Sequence, residues 1–459
     1  MMENNEATHA PKRILSIFDA VCIIVGIVIG AGIFKVPAIV AKNTPNEFLM
    51  LLAWFLGGLL CIAGAFCYAE LASAYPQAGG DYIYLKRAYG GFLGFAFVWA
   101  RLSVIQTGSI VSLAYVFGDY MTRILSIGQF SSTIYAGVVV FLFTVLNVIG
   151  VQQGKVAQNI LTGAKVAALI SIVLLGIFSQ SHETTPHASN TSSSFSWAAF
   201  GLAMVFILYT YGGWNEAAFI AGEVKDARRN MVKAIIISML TLIAIYMLVN
   251  YAYLRLLSFE GMRESDAVAA DALSKVFGRF GEVVISAFVA LSALGATNGT
   301  IFTGARSIYA LGSDYYGLRW LGVWHKRFST PSNALIAQGV ICMALILLSL
   351  LGKDYRRGFE NMVEYTAPVF WFFMLLTAIS VVVLRIRDRD IERPFKTPVL
   401  PLTLTLFCGM CIYMLYSSLK YTMEFGRFYA LIGVGVLLLS VPFYFVTLLI
   451  ERRATWWRI

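Results

Sequence analysis

The sequence predicts an all-α membrane protein with twelve transmembrane helices, and three observations carry that expectation. Apolar residues make up 59% of the 459 and charged residues only 13%, about half the charged share usual in soluble domains. Twelve stretches are long enough to cross a hydrocarbon core, which needs roughly 20 apolar residues. Two of them, the first and the sixth, are interrupted by glycines at mid-span. Lipid tolerates such a break only where the freed backbone groups face protein, water or a ligand.

The first span, 17–41, breaks at Gly30-Ala31-Gly32-Ile33-Phe34, with Pro37 close behind. Glycine is poor inside a helix because it costs backbone entropy and packs nothing, so the helix is expected to stop and restart here. The second span, 48–73, ends in a turn marked by Pro76, Gly79 and Gly80, followed by a short amphipathic helix. The third, 91–118, carries Arg101, Gln106, Thr107 and Ser109; the fourth is 132–150. The fifth, 156–179, carries Lys165 near mid-span, where charge is expensive and a lysine cannot easily reach the interface.

A Ser/Thr/Asn-rich stretch from Ser181 to Ser196, holding His182 and His187, reads as a flexible outer loop with solvated histidines. The sixth span, 197–222, breaks at Tyr211-Gly212-Gly213-Trp214-Asn215 and is followed by 233–257. The mixed-charge stretch from Ser258 to Glu282 is expected to lie over the outer face. The eighth span, 283–311, contains the small, polar run Ser292 to Thr300, which either lets helices approach closely or lines a cavity. The remaining spans are 333–352, 362–385, 400–420 and 428–450; the last two carry no intramembrane charge and read as scaffold.

An even number of crossings puts both termini on one side. With that side cytoplasmic, the inner segments hold roughly twice the Lys and Arg of the outer ones, so both termini are expected inside. The net charge of +10 reflects these juxtamembrane clusters, such as Arg385 to Lys396, and is no nucleic-acid signal. The first 16 residues lack the apolar core of a signal peptide, so no cleavage is expected there. All six cysteines fall within spans without metal-ligand spacing. No phosphate-binding glycine motif or catalytic constellation is visible, so neither a cofactor, an ATP-driven pump nor an enzyme is expected.

Spans one to five (17–179) overlay spans six to ten (197–385), each set opening on a broken helix. Five is odd, so the second set is inverted relative to the first. Paired broken helices in inverted repeats are a pointer to a transporter binding site. The stretch 400–450 would add two accessory helices, with tails at 1–16 and 451–459.

The strings GAGIF, AELASAYPQAGGDYIYLKRAYG, YGGWNEAAFIAGEVKDARRN, ALGATNGTIFTGARSIYALGSDYYG and LRIRDRDIERPFKTP, in that order, resemble the amino acid–polyamine–organocation superfamily. Within it they are most similar to the L-type amino acid transporter light-chain group and its bacterial relatives, over nearly the whole chain. The resemblance implies a LeuT-type 5+5 inverted repeat that moves amino acids across the cytoplasmic membrane by alternating access, as exchanger or proton symporter.

It also implies site residues. Amide groups at the start of the second half-helix suit a carboxylate, so the substrate carboxylate would meet the N–H groups of Ala31 and Gly32. Many relatives have serine at Ala31, so one hydroxyl donor is missing here. The α-ammonium would meet the carbonyls of Val28, Tyr209 and Gly212, and Tyr209 would be an aromatic outer gate. Lys165 would stand where sodium-coupled members hold Na⁺, bridging the carbonyls near Gly26 and Ile29 to the eighth span around Ala296 and Thr300. Arg101 and Glu216 either pair near an inner gate or line a solvated cavity; Glu216 is alternatively a proton site.

Light chains use a cysteine between the third and fourth spans to join a heavy chain. Asp119 to Ser131 contains none, so a stand-alone monomer in the bilayer is expected, with no disulfide partner. Neutral L-amino acids are the favoured substrates. The alternatives are a cationic amino acid or polyamine permease, a channel, or a sensor that binds without transporting.

Overall fold

The computed structural model describes residues 13–30, 32–77, 79–178, 196–265, 268–325, 327–351, 358–424 and 429–456. Ala31, the His182/His187 stretch and the first twelve residues lie outside them. Among the described residues the chain is helical throughout, with no strand beyond two isolated bridges. Among the described residues ten helices are long and apolar enough to cross a membrane. Two further apolar stretches are interrupted.

The first interrupted stretch consists of α1 (Ile17–Val28) and α2 (Gly32–Lys42). Ser16 and Asp19 cap α1 reciprocally, the Ser16 hydroxyl accepting the Asp19 N–H and the Asp19 carboxylate the Ser16 N–H. Then come α3 (Glu47–Ala74) and the short α4 (Asp81–Tyr89). The third span is α5 (Gly91–Ala100), a π-helical turn over Arg101–Ile105, and α6 (Gln106–Ile124). The sequence predicted an unbroken helix there; a π turn re-aims side chains and is frequent at functional sites.

The helices α7 (Ser131–Ile149) and α8 (Val151–Phe178) follow. The second interrupted stretch is α9 (Trp197–Thr210), the turn 211–213, a 3₁₀ turn Trp214–Glu216, α10 (Ala217–Ile220) and a second 3₁₀ turn Ala221–Glu223. The stretch from Ser258 to Glu282, whose mixed charge carries a partial helical periodicity, is largely helical. Its two sides belong to α11 (Ala227–Glu264) and α12 (Val268–Asp314), which bend at Ser258 (φ 65°) and Gly278 (φ 58°). The chain closes with α13 (Ser332–Leu351), α14 (Gly358–Arg387), α15 (Leu400–Glu424), α16 (Tyr429–Leu438) and α17 (Ser440–Trp456).

Packing places α1 against α8, α11 and α12, with α2 against α9 and α11. The two interrupted stretches therefore lie inside a cage of long helices. Single large apolar side chains remain exposed on the outside, among them Phe141, Ile160, Leu347, Tyr416, Leu438 and Phe445. Such a belt suits a hydrocarbon surround. Two faces follow from the chain path: the Ser16 face, where α1 begins and α14 ends, and the Asn46 face, where α3 begins.

Candidate functional site

At the first break, Ile29 leaves helical geometry (ψ 85°) while its N–H still reaches the Val25 carbonyl at 2.9 Å. The helix ends there because its next carbonyls are claimed from the side. Lys165 Nζ donates to Gly26 O (2.7 Å), Ile29 O (2.7 Å) and Ser292 O (2.8 Å). An ammonium has three donors, and all three are spent. The side chain is 1% exposed, and its charge is matched by converging carbonyl dipoles rather than by a carboxylate.

The eighth-span partner differs from the expected one. Lys165 reaches the Ser292 carbonyl instead of Ala296 or Thr300. The Thr300 hydroxyl closes onto the Ala296 carbonyl at 2.8 Å, and the Thr300 carbonyl is taken by Gln106 Nε2 at 2.5 Å. Ser292 lies one turn earlier in α12, where its hydroxyl also donates to Ile29 O at 3.0 Å.

The small polar run in α12 makes this approach possible. A Cβ on Gly295 would stand 2.8 Å from Lys165 Cε, and one on Gly299 would stand 2.5 Å from Ile27 Cγ1. Asn298 joins the Asn147 amide (2.9 Å) to Gln158 (3.0 Å), and Thr162 donates to Cys22 O (2.9 Å). A polar chain thus ties α7, α12 and α8 to α1.

The second break needs one glycine in particular. Gly213 has φ 109°, a left-handed conformation that other residues adopt at a cost, and a Cβ there would stand 2.9 Å from Ile27 Cγ2. The turn therefore seats directly on α1. Gly212 N donates to Tyr209 O at 3.0 Å. Gly32 opens α2, its Cα pressed so close to Thr210 that a Cβ would stand 2.8 Å from it.

Not every carbonyl expected to be vacant is so. Val28 O accepts from Gly30 N (2.7 Å) and from the Tyr246 hydroxyl (3.0 Å), which also reaches Thr210 O at 3.3 Å. Tyr246 ties the ends of both half-helices, a role without a sequence signal beyond an aromatic in α11. Trp54, Tyr211 and Tyr246 form an aromatic collar there, with centroids 4.9–6.0 Å apart. Tyr209, on the Asn46 side of the break, is 39% exposed.

Toward the Ser16 face the breaks are sealed. Arg101 Nη2 donates to Glu216 Oε2 at 2.6 Å, with the guanidinium 3.5 Å from the Phe219 ring centroid. The Thr303 hydroxyl also donates to Glu216. Below this pair, Arg306 grips Glu223 with two bonds (2.6 and 3.1 Å), both side chains being 1% exposed. Arg306 lies inside the eighth span by sequence, and its partner ends the sixth.

Leu15 pairs with the exit of the sixth span, its N–H donating to Glu223 O and its carbonyl accepting Lys225 N–H, both at 2.9 Å. Arg385 binds Glu70 through 2.7 and 2.6 Å contacts, Lys86 pairs with Asp314 at 2.6 Å, and Arg87 pairs with Asp388. Burial works against ionisation of Asp388, but Arg87 and Tyr75 outweigh it and hold that carboxyl below the usual carboxylate range. Asp81, on α4, behaves oppositely: burial pushes its carboxyl up to about 7.

The amino acid permease family model matches residues 15–438. The chain belongs to that family. It falls on the L-type side of the amino acid–polyamine–organocation superfamily. Human b(0,+)-type amino acid transporter 1 is 31% identical over 87% of the chain and 82% of its own length. The human cystine/glutamate transporter is 29% identical over 98% and 88%. The mouse large neutral amino acids transporter small subunit 2 is 30% identical over 95% and 81%. These permease relatives are transporters rather than enzymes.

Proposed function

We propose that this permease is a sodium-independent secondary transporter of amino acids, with neutral L-amino acids as the main substrates. It would have twelve crossings in a LeuT-type inverted repeat, with both termini in the cytoplasm and the Ser16 face inward. The Lys165 ammonium carries this reading. Its three carbonyl bonds beside the first break support a role in place of a coordinated monovalent cation, which would brace the half-helix without a bound ion.

The substrate carboxylate would meet the N–H groups of Ala31 and Gly32 at the start of α2. The ammonium would meet the carbonyls of Val28, Tyr209 and Gly212, displacing the Tyr246 hydroxyl from Val28. Tyr209 would close over the substrate from the Asn46 side. Neutral side chains are favoured because Glu216, the nearest carboxylate beyond the second break, is already engaged by Arg101 and Thr303. The loop Asp119 to Ser131 offers no cysteine for a second chain, which supports a stand-alone monomer.

Counterflow tests the reading. Purified protein in liposomes preloaded with unlabelled leucine should accumulate labelled leucine equally well with sodium or choline as the external cation. Uptake that requires sodium would overturn the role of Lys165. Binding without counterflow would make the protein a sensor.

A further inference from the structure

We propose that the carboxyl group of Asp81 is a proton-binding site whose occupancy governs closure of the Ser16 face, an inference that rests on the transporter reading. Asp81 opens α4 after Gly79 and Gly80, both at positive φ (121° and 50°). A Cβ at either position would stand 2.8 Å from Ala310 or 2.7 Å from Phe219. The turn is thus pressed onto α12 and α10, which drives Asp81 inward to 4% exposure. Its Oδ2 accepts the Tyr68 hydroxyl at 3.0 Å, and its Oδ1 is buried with no partner.

The surrounding charges do not balance. The π turn supplies Arg101, and the 3₁₀ turn supplies Glu216; both act on Asp81 through space. Arg101, however, is committed to Glu216 at 2.6 Å and to the Phe219 face. On α12, Arg306 is committed to Glu223. On α3 the facing group is Tyr68, whose hydroxyl also touches Met374 of α14; α4 itself contributes Tyr84.

Two buried carboxyls therefore share one guanidinium. An uncompensated buried charge is costly and is relieved most simply by taking a proton. The step is the addition of H⁺ to the vacant Oδ1, giving a neutral acid that keeps the Tyr68 bond. The same burial holds the carboxyl near pH 7, so the group can both take and release the proton in the working range. Release puts a second negative charge beside Glu216. That repulsion acts across the turn that seats Gly80 on Phe219 of the second interrupted stretch, beside the Arg101–Glu216 pair toward the Ser16 face.

The test uses full-length wild type, Asp81→Asn and Tyr68→Phe in liposomes, with leucine counterflow measured at equal pH on both sides. Wild-type exchange should fall at least about threefold as pH rises from one unit below 7 to one above, because the fraction protonated falls steeply there. Asp81→Asn should exchange at a rate independent of pH. Tyr68→Phe removes a bond to the charged form, so its midpoint should move to higher pH. A flat wild-type profile alongside robust counterflow, or a wild-type profile in Asp81→Asn, would overturn the proposal and leave the transporter reading intact. An infrared pH titration of the purified chain reads the same group without transport. A protonated-carboxyl band that titrates near 7 and is missing in Asp81→Asn is expected; its absence from wild type would overturn the proposal.

Discussion

The Lys165 ammonium and the Ile29 carbonyl stand 2.7 Å apart, and this contact fixes where the first helix stops. The same ammonium holds Gly26 one turn back and Ser292 across the interface, so three structural elements converge on one buried cation. Lys165→Met should remove the cation and strip one bond from each of three carbonyls, of which Ile29 O keeps the Ser292 hydroxyl; a carbonyl left with no partner costs about 1–3 kcal/mol if no water enters. Exchange should fall at least about tenfold, and thermal unfolding in detergent should shift downward. Lys165→Arg should fail to rescue, because a planar guanidinium cannot reproduce three bonds that converge on one nitrogen. Wild-type counterflow in the Met variant would refute the brace.

How much of this was legible in the sequence depends on range. The breaks announced themselves, because paired glycines in an apolar span have few other readings. Lys165 did too, since charge at mid-span demands a partner. The identity of that partner did not: Ser292 and Thr300 lie two turns apart on α12, and the packing of α8 against α12 selects Ser292. Tyr246 and Asp81 were silent for a related reason. A tyrosine in an apolar helix and an aspartate at a helix start each look ordinary until neighbours from four other elements surround them. The partial helical periodicity from Ser258 to Glu282 was legible, but the bends at Ser258 and Gly278 were not, because a single residue at positive φ leaves that periodicity almost unchanged.

The second break makes a conformational prediction. Gly213→Ala must hold an L-residue at φ 109° and place a methyl 2.9 Å from Ile27. Backbone strain alone costs about 1–3 kcal/mol, and the contact with α1 adds to it. The variant should be poorly expressed or melt well below wild type. Gly163→Ala is the control: it lies on an exposed face of α8 with nothing within 4 Å of the added carbon. It should be neutral or stabilising by up to about 1 kcal/mol. Equal melting of the two variants would show that the turn at Gly213 can be re-formed by other residues.

The Arg306–Glu223 pair at the Ser16 face predicts strong non-additivity. Both groups are 1% exposed and doubly bonded, so Glu223→Gln or Arg306→Met alone strands a buried charge, at a cost of about 3–5 kcal/mol. The double variant strands none and should melt well above either single one. Additive losses in the four-way thermal comparison would mean that the two charges are solvated separately.

Two tyrosines at the breaks should act on substrate affinity with opposite sign. On the proposed function Tyr209 would cover the bound substrate, so Tyr209→Ala should raise KM. Tyr246 instead occupies the carbonyl proposed for the substrate ammonium, its hydroxyl 3.0 Å from Val28 O. A neutral hydrogen bond of this kind contributes about 1 kcal/mol, which is about a fivefold change in an equilibrium constant. Tyr246→Phe should therefore leave the aromatic collar intact while lowering KM by up to about that factor. Leucine counterflow over a range of external concentrations checks both variants. A raised KM in Tyr246→Phe would mean that the hydroxyl holds the two half-helices in their binding geometry rather than competing for Val28.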